Sequence, residues 1–101
     1  MMYIVATKLA EDPKDEEGKK NYENLVNAIT SMGPWSDRLD KCWLVESKLS
    51  ASRIRTLLKP HCQDGDRVFV GQFSQNWAGF NMGKSFPEWM KRRDFQTPGQ
   101  S

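Results

Sequence analysis

The chain is poor in the residues that most often carry chemistry. A single His and two Cys stand among 101 residues. Two thiols at 42 and 62 make neither a disulfide framework nor the four-ligand cage of a structural zinc. His61 has no partner pattern around it and reads as a helix-end or surface residue, so no metal or cofactor is expected. There is no Gly-rich strand-to-helix turn to cradle a phosphate; Gly79 and Gly83 stand apart from any such junction. No apolar run approaches the roughly 20 residues of a membrane span, and the opening residues 1–9 are too short for a secretory signal, which points to the cytoplasm and to no membrane partner. No internal repeat and no long linker divides the chain.

What is present describes a polar globular domain. Charged residues make up 28% and aromatics 11%, with four Trp and five Phe, too many for a disordered chain. The net charge of +2 is nearly balanced, but it is unevenly spread. Glu11, Asp12, Asp15, Glu16 and Glu17 crowd one segment, whereas Arg53, Arg55 and Lys59 share one predicted helix and Lys84, Lys91, Arg92 and Arg93 crowd the far end. A solvated acidic loop and a solvated basic face explain this pattern; so does a basic surface that touches phosphate, or a contact between the two opposite patches on neighbouring copies.

The apolar periodicity sets out the elements. Residues 2–9 are β-prone with apolar side chains on both parities, as in a strand covered on both faces. Residues 10–18, with Pro13 and five acids, read as a loop. Tyr22, Leu25, Val26, Ile29 and Met32 fall at helical spacing and predict a helix over 19–32, closed by Gly33 in a left-handed cap and by Pro34. Residues 35–39 and 41–47 form a hairpin about Asp40-Lys41, with Cys42 and Trp43 in the core. Ser50 caps a second helix through about residue 61. A strand follows over 67–73, then an irregular stretch over 75–83 and a short helix over 86–93. The domain expected is 1–96, with a mobile tail over 97–101. The order is β-α-β-β-α-β, an α+β class, the ferredoxin-like split β-α-β arrangement with a short C-terminal helical appendage. Right-handed crossovers put both helices on one face of an antiparallel sheet. Two helices cannot cover the other face, which predicts a homodimer.

Catalytic patterns are thin. Asp37, Asp40, Asp64 and Asp66 lie at turns, where carboxylates ordinarily bond their own backbone; a two-metal nuclease needs such groups converging on one pocket. Ser36 with Asp37 and Ser50 with Ser52 lack a positioned His and read as turn and cap residues. Trp43 belongs to the core by position. Trp77 and Trp89, with Phe80, lie in the appendage, where they pack on the sheet, stack on bases or anchor a protein partner.

Several segments carry a resemblance. Met2-Tyr3-Ile4-Val5, the helix end Met32-Gly33-Pro34-Trp35, Leu39-Asp40-Lys41-Cys42-Trp43-Leu44-Val45, the second helix, and Asp66-Arg67-Val68-Phe69-Val70 resemble the small ferredoxin-fold proteins related to CRISPR-associated protein two. Trp77-Ala78-Gly79-Phe80 followed by Phe86-Pro87-Glu88-Trp89 resembles the tail of that group's stand-alone SinR-family and VapD-like members. The likeness spans about residues 2–90. It implies a symmetric dimer with the two sheets facing each other. In the CRISPR members an acid closes the first strand and is assigned to metal-dependent cleavage. Here Thr7-Lys8 stands in that place, so the resemblance carries no metal site and no catalytic residue. The reading is a dimeric, non-catalytic binding module that contacts nucleic acid through Lys8, Arg53, Arg55, Lys59, Lys91, Arg92 and Arg93. A metal-dependent endoribonuclease toxin of the same fold is the alternative. A protein-interaction or phage-borne inhibitory module, using Trp77, Phe80 and Trp89, is the third.

Overall fold

A computed structural model describes residues 1–95. The tail expected over 97–101 lies outside the described residues, as does residue 96. The elements are β1 (Met2–Lys8), α1 (Glu16–Thr30), β2 (Trp35–Leu39), β3 (Cys42–Glu46), α2 (Ala51–Leu58) running into a 3-10 turn (Lys59–His61), β4 (Arg67–Phe73) and α3 (Phe86–Lys91). The four strands make one antiparallel sheet in the order β2-β3-β1-β4. Among the described residues this is a small α+β fold of one sheet and three helices.

Register divides the sheet into two faces. Tyr3 and Val5 on β1 stand beside Trp43 and Val45 on β3, and all four are buried with Leu25 and Ile29 of α1 and Ile54 and Leu58 of α2. Both long helices therefore cover the same face. Each such side chain, fully buried, stabilises the fold by about 1.5–3 kcal/mol before entropy is counted. The intervening residues Ile4, Ala6 and Lys8 point to the other face, together with Cys42 and Leu44 of β3 and Arg67, Phe69, Gly71 and Phe73 of β4.

Two sequence expectations change here. Helix α1 begins at Glu16 rather than residue 19, because the Asp15 carboxylate accepts a 2.7 Å hydrogen bond from the Gly18 amide and caps it. Glu16 and Glu17 then occupy the first turn, where they complement the positive end of the helix dipole. Gly33 does not adopt the left-handed conformation; among the described glycines only Gly65 and Gly83 have positive φ. Its role is steric: a Cβ there would run into the Glu46 carbonyl. Among the described non-glycine residues, Lys41 at φ 56 in the β2–β3 turn and Asn81 at φ 59 are left-handed. Lys41 is held there by its neighbours. Its carbonyl accepts from both the amide (2.9 Å) and the hydroxyl (3.1 Å) of Thr7, and its ammonium sits 4.3 Å from the centre of the Tyr22 ring.

The segment after β4 works as a strap. It leaves outer strand β4, reaches outer strand β2, where Arg38 donates a 3.0 Å hydrogen bond to Ser85, and returns as α3. Phe86 and Met90 of α3 bury Met2, with Leu44, Phe73, Met82, Trp89 and Phe95 around them. Phe95 meets Phe73 edge-on at 5.7 Å. Strand β1 is thus covered on both faces only at its start: Met2 is fully buried, whereas Ile4 is 37% exposed.

Candidate functional site

The cations singled out from the sequence do not converge on one surface. Arg53, Arg55 and Lys59 are exposed on α2 and the turn after it, whose inward residues Ile54 and Leu58 pack on the helix-bearing face of the sheet. Lys8 is exposed on the opposite face. Lys91 and Arg92 are exposed at the end of α3, above Met2, whereas Lys8 closes the other end of β1. Lys91 has a 3.6 Å surface ion pair with Glu88.

Arg93 is turned inward. Its side chain is only 10% exposed, its guanidinium carbon lies 4.6 Å from the Trp89 ring centre, and its Nε is 3.9 Å from a Glu46 oxygen. That internal engagement takes Arg93 out of the cations presented to solvent. Trp89 is engaged by two neighbours, the Arg93 guanidinium and the Phe86 ring at 6.1 Å. Trp77 meets Phe86 edge-on at 5.7 Å and is 37% exposed. Phe80, by contrast, stands 86% exposed between β4 and α3.

One juxtaposition was not read from the sequence. Lys8 of β1 and Arg67 of β4 are direct cross-strand partners, so two exposed cations stand side by side on the open face. Among the described residues neither forms an ion pair with a carboxylate. Like charges directly opposite on an antiparallel pair are destabilising. Beside them Phe69 is cross-strand partner to Ala6 and is 63% exposed. The signal lay in the alternation Arg67, Phe69, Gly71, Phe73, a mixed cationic and aromatic face on one parity of β4.

The acids serve the loops. A cleft of about 480 Å³ lies between residues 9–18 and the segment from His61 to Asp66. Asp66 accepts hydrogen bonds from the Ala10 amide at 2.9 Å and the Gln63 amide at 2.8 Å, pinning the acidic loop to the turn before β4. Among the described residues no three His, Cys, Asp or Glu side chains gather as a cation site would need. The two thiols are half-buried, and burial pushes both up from the ordinary thiol value; Asp66 raises Cys62 further. Cys42 thus lies on the open sheet face rather than in the core expected for it.

No family model, curated protein or solved structure matches the chain.

Proposed function

We propose that the chain is a small non-catalytic binding module of ferredoxin-like topology, of the kind found around CRISPR-associated protein two, and that it contacts nucleic acid. The strand order β2-β3-β1-β4 with both long helices on one face supports the topology. The observation that carries the binding reading is the Lys8–Arg67 pair. Two exposed cations held together without a carboxylate cost stability, and a phosphate between them offsets that cost. Lys8 also occupies the place where the resembling nucleases carry an acid, and a cation there attracts phosphate and repels a metal ion.

The test is anisotropy of labelled single-stranded and duplex oligonucleotides across a salt series. Affinity falls with salt, with a slope of about −0.9 per phosphate neutralised on duplex DNA and about −0.7 on single strands. Lys8→Ala and Arg67→Ala each reduce that slope by about one contact and weaken binding across sequences equally, because phosphate contacts do not read bases. Absence of salt-dependent affinity for any nucleic acid overturns the reading. The 86% exposure of Phe80 then favours the protein-partner alternative, with that ring as the anchor.

A further inference from the structure

We infer that the uncovered half of the sheet is a binding platform for a single-stranded nucleic-acid segment, with a base stacked on Phe69 and the flanking phosphates held by Lys8 and Arg67. This rests on the nucleic-acid reading above and names its substrate class and its surface.

The platform is built by the register and by one glycine. Phe69 lies on outer strand β4, and a Cβ on Gly71 would meet the Phe69 ring at 3.0 Å and 3.4 Å. The ring therefore reclines along its own strand over the bare glycine, rather than standing up from the sheet. A reclined ring, 63% exposed, offers a face to a planar ligand. Gly71 filling by the ring accounts for its posture, but not for the two cations beside it. Lys8 and Arg67 pair at the next outward-facing register position after Ala6 and Phe69. None of the open-face residues on this half of β1, β3 and β4 is acidic; they are Ile4, Ala6, Lys8, Cys42, Leu44, Arg67 and Phe69 with Gly71. Aromatic face and cationic margin together are what a single strand needs: a stacking surface for bases and charge for the backbone.

Charge complementarity decides between occupants. A second copy set face to face brings another Lys8–Arg67 pair and no open-face acid on this half to meet them. The strap already covers Met2, and the large apolar side chains left exposed on this face are Phe69 at 63%, Leu39 of β2 at 47%, opposite Cys42, and Ile4 at 37%. A stable dimer interface needs about 800 Å² from each partner. A duplex keeps its bases stacked on one another and leaves the Phe69 ring without a partner, whereas unpaired bases can be splayed onto it.

The experiment compares Phe69→Ala, Phe69→Trp and Lys8→Ala in the full chain, with circular dichroism to establish folding. Anisotropy is read with labelled oligo-U, oligo-dT and a duplex of equal length, and mass is read by light scattering. Phe69→Ala weakens single-strand binding by about 5- to 150-fold, the range of one lost base stack. Phe69→Trp restores it, and duplex binding is unchanged by either. Single-strand binding that survives Phe69→Ala but falls in Lys8→Ala overturns the stacking platform and leaves the broader reading standing. Equal loss on single strand and duplex in Phe69→Ala also overturns it. No binding by the unsubstituted chain removes both readings. A dimer that dissociates in Phe69→Ala assigns the face to a second copy and overturns the platform.

Discussion

Glu46 on β3 and Arg93 beyond α3 tie the strap to an inner strand of the sheet, Nε lying 3.9 Å from the carboxylate oxygen. The same oxygen accepts a 2.7 Å hydrogen bond from the Asp94 amide. Arg93 Nε and Nη1 are buried without a hydrogen-bond acceptor, so Glu46 supplies the nearest neutralising charge. Glu46→Ala therefore costs about 1–3 kcal/mol in a urea melt, because it strands a buried cation. Arg93→Met costs less than Glu46→Ala, since the methionine keeps the apolar contact with Trp89 and leaves no charge behind. Equal costs would sink this account.

Gly33→Ala destabilises by about 1–3 kcal/mol, read from the same melts. The obstacle to a Cβ is the Glu46 backbone carbonyl, which cannot swing away like a side chain, and the Glu46 amide is itself bonded to the Pro34 carbonyl. A neutral substitution would mean that the turn into β2 shifts freely.

Tyr3 gives the fold an alkaline limit. Its ring is buried and its hydroxyl donates a 2.6 Å hydrogen bond to the Leu49 carbonyl. Burial raises its pKa above the ordinary 10.0. The protonated form is thus favoured by folding, a contribution fully present below pH 10.0 and lost as pH rises through the folded value. Melts between about pH 8 and about pH 11 decline more steeply for the unsubstituted chain than for Tyr3→Phe. At neutral pH Tyr3→Phe costs about 0.5–1.5 kcal/mol through the lost hydrogen bond.

Lys8→Glu separates function from stability by sign. It turns a cross-strand repulsion with Arg67 into an attraction, worth about 0.2–1 kcal/mol in favour of folding. The same change puts an anion where phosphate is proposed to sit. Melting temperature rises while oligonucleotide affinity falls; a fall in both would make Lys8 a structural residue.

The elements were legible wherever local pattern decides them. The β-branched and aromatic runs place β1, β3 and β4, the Asp40-Lys41 turn places β2 beside β3, and the stripe Leu25, Val26 and Ile29 places α1. The start of α1 was missed because Gly18 and the acids look like a loop until the Asp15 cap is seen to satisfy the first-turn amide. Gly33 was misassigned because glycine serves close approach as well as left-handed turns, and the approaching carbonyl comes from β3. The Lys8–Arg67 pair was invisible for a deeper reason. Each cation is ordinary on its own strand, and only the long-range β1–β4 register makes them neighbours. Arg93 misled in the opposite direction: composition counted its charge toward a surface, whereas the chain folds it beneath a tryptophan.

The strap also bears on how the chain survives its own synthesis. Its contacts join early and late segments, Met2 with Phe86 and Met90, and Glu46 with Arg93, so they reward folding only after the sheet exists. The six residues of α3 are too few to persist as an isolated helix. A nascent chain that has formed β4 but not yet docked α3 therefore presents Met2, Ile4, Leu44, Phe69 and Phe73 as one apolar strip ending on an outer strand. Such a strip with an open edge is a template for aggregation. Docking the strap withdraws Met2 from that strip and covers the flanks at Leu44 and Phe73, which makes it as much a guard against self-association as a part of the core.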